Sequence, residues 1–117
     1  LLIDADPDVL RLMTSVFAED ETELVTCQTP QQGLALLMSR EVKCVLLDVS
    51  FAHTPECLGF LGALRSLPDT TATPVIVTSA MTGPEVIRQV LGLGARKFIP
   101  KPFLPSEILR EVRSLCA

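Results

Sequence analysis

Five short apolar runs, rich in β-branched residues and spread along the whole chain, constrain the fold more than any other feature. They are Leu1–Asp4, Glu23–Cys27, Cys44–Asp48, Pro74–Thr78 and Lys97–Pro100. Between them, apolar residues recur at helical spacing. Val9, Leu12, Met13, Val16 and Phe17 share one helical face, as do Leu34, Leu37 and Met38, and then Ile108, Leu109, Val112 and Leu115. Asp6-Pro7 and Thr29-Pro30 each set a capping side chain before a proline suited to a first helical turn, and Thr82-Gly83-Pro84 is a looser version. Gly92 and Gly94 mark the end of the fourth helix. Strand and helix alternate five times, a (βα)5 pattern that predicts a parallel sheet covered on both faces. The nearly continuous apolar character of the central runs fits strands buried on both sides.

The chain has 117 residues, which at about 100–200 residues per domain predicts a single domain over 1–117. It begins inside an apolar run without Met, so a piece trimmed from a longer protein is expected. Ten basic against fourteen acidic residues give a net charge of −4, and Trp and Tyr are absent. That balance argues against direct nucleic-acid binding, which wants a basic stripe or a stacking platform. It argues equally against an anionic membrane surface. No apolar stretch approaches the roughly 18 residues of a membrane span. Cys27, Cys44, Cys57 and Cys116 form no C-x-x-C pair, so they read as small buried hydrophobes plus a terminal thiol. Reduced thiols and the lack of a signal peptide point to the cytoplasm.

In an open parallel α/β sheet, ligands bind at the carboxyl ends of the strands. Asp4, Asp6 and Asp8 follow the first run, Asp48 ends the third, Thr78-Ser79 the fourth, and Lys101-Pro102 the fifth. Asp48 reads either as a cap for the loop that follows or as a nucleophile accepting a phosphoryl group. With a neighbouring Asp4 it offers a hard cation such as Mg²⁺ two carboxylates. Asp6 fits a helix N-cap and Asp8 a first-turn acid. Thr78 has a hydroxyl for a phosphoryl oxygen, or is an ordinary strand threonine. Lys101 sits where a point charge meets phosphate, and its bond to Pro102 is a candidate cis peptide.

With these residues in order, the chain resembles the receiver domain of bacterial two-component response regulators. The resemblance rests on Leu1-Leu2-Ile3-Asp4-Ala5-Asp6-Pro7-Asp8, Val45-Leu46-Leu47-Asp48, Pro74-Val75-Ile76-Val77-Thr78-Ser79-Ala80, Leu93-Gly94-Ala95 and Lys101-Pro102-Phe103. It implies a flavodoxin-like three-layer sandwich with strand order 2-1-3-4-5. It implies that Asp48 accepts a phosphoryl group from the phosphohistidine of a histidine kinase or histidine phosphotransfer protein. Mg²⁺ would be held by Asp4, Asp48 and the backbone carbonyl of Ser50, and the phosphoryl group would meet Thr78 and Lys101. Phe98 is implied as a rotamer switch, although core packing alone also explains an aromatic there. Output, including a possible homodimer, would use the face made by the fourth helix, fifth strand and fifth helix. Such a domain is a phosphoacceptor and not an enzyme in the turnover sense.

The sequence departs from the family in places. The usual acidic pair is Asp4-Ala5, so a methyl group replaces a metal-binding acid and Mg²⁺ binding should weaken. The loop after Asp48, read as Val49 to Gly59, is longer than usual and lacks Met-Pro-Gly. It carries the single histidine, His53, as an exposed residue or as a base or ligand replacing the lost acid. Ser79 is bulkier than the usual residue and is expected to narrow access to the acyl phosphate. Leu104 replaces a capping Asp, which weakens the last helix start. Ala5 therefore supports an alternative, a degenerate receiver acting through protein contacts without phosphorylation. A remoter one is a haloacid-dehalogenase-like phosphatase using Asp4 and Asp6. A flavin site is disfavoured by the acids after the first run.

Overall fold

The computed structural model describes residues 1–50 and 54–116. Its elements run β1 (Leu2–Ile3), α1 (Pro7–Phe17), β2 (Thr26–Cys27), α2 (Pro30–Ser39), β3 (Val45–Asp48), α3 (Thr54–Ser66), β4 (Val75–Ser79), α4 (Pro84–Gly92), β5 (Lys97–Pro100) and α5 (Pro105–Cys116). All strands are parallel, in the order β2-β1-β3-β4-β5. This is the doubly wound, flavodoxin-like arrangement that the resemblance implied.

The alternation of side chains along β3 and β4 builds two cores. Val45, Leu47, Val75 and Val77 face α2, α3 and α4, where they meet Phe60, Leu61, Leu64 and Val90. Leu46 and Ile76 face the other way, toward Met13 and Phe17 of α1 and Ile108 and Val112 of α5. Successive strand residues point to opposite faces, so a strand wrapped on both sides must be apolar at every position. β4 is buried throughout.

Caps form where the sequence places them. The Asp6 side chain accepts from the Asp8 N–H, and that of Thr29 accepts from Gln32. α4 starts at Gly83-Pro84 with no side-chain cap bond. Gly94 turns the chain after α4 at φ 96°, a conformation that a Cβ disfavours. The Lys101-Pro102 bond is cis.

Three local expectations are corrected. Leu12 is 49% and Met38 74% exposed; each lies at the outer margin of its apolar stripe. Leu10 packs inward on α1 instead, and α2 approaches the sheet at Gly33, where an added Cβ would meet Ile3. The loop after Asp48 does not extend to Gly59, because α3 begins at Thr54.

Candidate functional site

Each candidate residue is fixed by the end of a strand. Asp48 closes β3 and pairs in register with Thr78 of β4, which pairs with Ile99 of β5. The chain leaves β1 at Asp4, whose N–H still bonds to the Cys27 carbonyl at 3.1 Å. Lys101 follows β5, and its N–H bonds to the Ser79 carbonyl at 2.8 Å. The four side chains therefore belong to the same rim of the sheet.

Lys101 joins the acids. Its Nζ lies 2.9 Å from Asp4 Oδ2 and 3.0 Å from Asp48 Oδ1. The Asp4 side chain is 2% exposed, that of Asp48 11% and that of Lys101 21%. Asp4 Oδ1 also accepts the N–H of Asp6 at 2.9 Å. A carboxylate taken out of water needs such partners. Burial pushes the Asp48 carboxyl above its ordinary value, against the hydrogen bond from Lys101, and the nearby Asp4 adds to the rise. Burial acts to lower Lys101, but its hydrogen bonds to Asp4 and Asp48 outweigh that and hold the ammonium above its ordinary value. The result is a carboxyl held above its ordinary value next to a firmly charged ammonium.

Thr78 is buried beside Asp48, and its carbonyl accepts the Val49 N–H at 2.9 Å. Phe98 is half-buried and packs against the core on the α3 and α4 side. The Ser50 carbonyl accepts the Thr54 hydroxyl at 2.8 Å, so one of its lone pairs is already used at the start of α3. Ala5 is exposed, and the Asp6 carboxylate caps α1. His53 lies outside the described residues.

Ser79 differs from expectation. It is fully buried, so it does not stand at the mouth of the site. Its hydroxyl donates to the Val49 carbonyl at 2.5 Å and accepts from the Met81 N–H at 2.9 Å. It clips the turn after β4 to the turn after β3. Cys57, read only as a core residue, is indeed buried, and its thiol donates to the Asp48 carbonyl at 3.4 Å. Neither contact has a motif; a polar residue ending an otherwise apolar strand was the sole hint of the first.

Asp4, Asp48 and the Ser50 carbonyl fit a hard oxygen-seeking cation, which commonly takes one or two carboxylates and completes its shell with water and phosphate oxygens. Among the described residues no group of three His, Cys, Asp or Glu side chains is arranged for a metal. The donor set is thus a sparse one.

A sequence model of the response regulator receiver domain matches residues 1–113. The transcriptional regulatory protein CpxR of Klebsiella pneumoniae is 34% identical over 117 residues, covering 98% of this chain and 47% of that protein. An uncharacterized 14.6 kDa protein from the sodA1 3′ region of Leptolyngbya boryana is 32% identical, over 99% of this chain and 88% of that protein. This chain spans about half the length of the CpxR relatives it matches. Among solved structures, the chemotaxis protein CheY4 of Vibrio cholerae superposes with a TM-score of 0.87 at 19% identity, covering 97% of this chain and 94% of that one. The Francisella response regulator 1452 receiver domain gives 0.86 at 22%, covering 98% and 93%. At such identities these likenesses speak for the fold.

Proposed function

This chain belongs to the response regulator receiver domain family of two-component systems, and from that premise we propose that Asp48 is its phosphoacceptor. The donor is the phosphohistidine of a histidine kinase or histidine phosphotransfer protein. An Asp48 carboxylate oxygen attacks phosphorus, the P–N bond to the donor imidazole breaks, and an acyl phosphate forms in line. The observation that supports this above all is the Lys101 ammonium bridging Asp4 and Asp48. It offsets part of the pair's negative charge before reaction and is at hand for the phosphoryl oxygens afterwards. Thr78, adjacent in register, supplies a hydroxyl to the same oxygens, and Phe98 responds from the neighbouring strand. Mg²⁺, held by Asp4, Asp48 and the Ser50 carbonyl, would screen the repulsion between carboxylate and phosphoryl group.

The family is one of signalling domains, and this chain is read as an acceptor that acts on no separate substrate. Its output face is α4, β5 and α5, where Leu91 of α4 is 45% exposed and suits a homodimer. A cytoplasmic setting agrees with four unpaired cysteines; among the described residues no helix is long and apolar enough to cross a membrane.

Acetyl phosphate with Mg²⁺, followed by intact mass, tests the proposal. One phosphoryl adduct that disappears in Asp48→Asn is expected. No adduct from acetyl phosphate or from any donor kinase would overturn it. Ala5 favours a second reading, a receiver signalling by protein contact alone, and that negative result would select it. The phosphatase alternative loses ground because the Asp6 carboxylate is committed to capping α1 while Asp48 has a partner in Lys101.

A further inference from the structure

Arg65 has no part in the phosphoacceptor site, yet its guanidinium is engaged at three places. It lies half-buried in the last turn of α3. Nη1 donates to the carbonyls of Thr71 at 2.8 Å and Thr73 at 3.0 Å, and Nη2 donates to that of Gly94 at 2.8 Å. Thr73 leads into β4 and Gly94 follows α4, and just beyond them the Arg96 N–H donates to the Val75 carbonyl at 2.7 Å. Among the described residues no carboxylate pairs with Arg65, so its charge is directed at carbonyls. A helix favours a cation at its carboxyl end. α4 has no basic residue in its own last turn, and α3 supplies one through Arg65.

The two ends of α4 differ. At the carboxyl end Val90 and Ala95 are buried, the Ala95 N–H donates to the Val90 carbonyl and the Gly94 N–H to the Leu91 carbonyl, each at 3.0 Å. An added Cβ at Gly94 would run into the Arg65 side chain. The amino end follows Thr78 and Ser79, has no side-chain cap bond, and residues 82–85 are all exposed. We propose that Arg65 is a positioning residue for the output face. It fixes α4 by its carboxyl end to α3 and to the entry of β4, and leaves the amino end, beside Thr78, as the part that yields. A shift in the turn after β4 then tilts α4 about Gly94 instead of displacing the whole helix. Three carbonyls in two segments call for a planar fork, which the single ammonium of a lysine does not provide. The proposal rests on the receiver reading in taking α4 as part of the output face.

Amide hydrogen exchange of the unphosphorylated chain, followed residue by residue, is the test, and it is independent of whether Asp48 takes up a phosphoryl group. Amides of β3 serve as the reference for global opening. In the wild type, exchange should be slower at Gly94, Ala95 and Arg96 than at residues 87–89. Arg65→Met should speed exchange at Thr73, Gly94, Ala95 and Arg96 about tenfold or more beyond the change in β3, the size expected for losing hydrogen bonds from a charged group. Residues 87–89 should follow the β3 reference. Arg65→Lys keeps the charge and the apolar stem and should show most of the same loss. Equal acceleration at all these amides, which plain destabilisation produces, would overturn the proposal. So would wild-type protection retained in Arg65→Lys, or exchange in the wild type as slow at 87–89 as at 94–96.

Discussion

Lys101 balances two acids by itself, and its removal should be felt in the whole fold. Lys101→Met leaves Asp4 and Asp48 nearly buried with no cation. Breaking a buried pair costs about 3–5 kcal/mol, and the 21% exposure of the lysine side chain reduces this to about 2–3 kcal/mol. Urea titration measures the loss. Asp48→Asn should act the other way. The folded state raises the Asp48 pKa above its ordinary 3.8, so folding favours the protonated acid. That contribution is complete below the ordinary value and is lost as pH rises through the folded one. The asparagine variant should therefore be the more stable protein at neutral pH, with the advantage gone near pH 3, the acid side of the ordinary carboxylate range near 3.9. Urea midpoints across pH read the difference directly. Ala5→Asp restores a carboxylate at the exposed position beside Asp4 and should tighten Mg²⁺ binding roughly tenfold or more, measured calorimetrically. At this scale the acids, Thr78 and Lys101 were legible because each ends an apolar run. The engagement of the Ser50 carbonyl by Thr54 was not, because a backbone path has no residue code.

The strand ends that fix the site are also clipped together through their turns by Ser79. Ser79→Ala would leave the buried Val49 carbonyl and the half-buried Met81 N–H without their partner, at about 1–3 kcal/mol. Hydrogen exchange should also quicken selectively in the turns after β3 and β4. Helix starts at Asp6-Pro7 and Thr29-Pro30 could be read from residue types, since cap and proline act locally. Thr54-Pro55 pairs the same residue types, but Thr54 is already the first residue of α3 and its hydroxyl donates back to the Ser50 carbonyl. Apolar periodicity places Leu12 and Met38 on an inward stripe, whereas burial depends on where the neighbouring layer ends. Gly33 marks where α2 comes up against the sheet, since an added Cβ there would meet the Ile3 Cδ1 methyl.

Across the whole molecule, one sheet separates two cores, and the alternating apolar residues of β3 and β4 feed both, so neither core is expected to persist without the other. Urea unfolding should be a single transition, with a slope of about 1–3 kcal/mol per molar urea. Loss of circular dichroism and exposure of the buried Cys57 thiol should coincide. The architecture was fully legible, because alternating periods and doubly apolar strands admit few topologies. The strand order came from the resemblance, since periodicity leaves adjacency open. The longest-range polar side-chain link among the described residues, from Lys101 to Asp4 across 97 positions, also bears on biosynthesis. A nascent chain carries Asp4 and Asp48 without that ammonium until residue 101 has cleared the ribosome, and on the function proposed above a partly made copy would lack the charge that meets the phosphoryl oxygens.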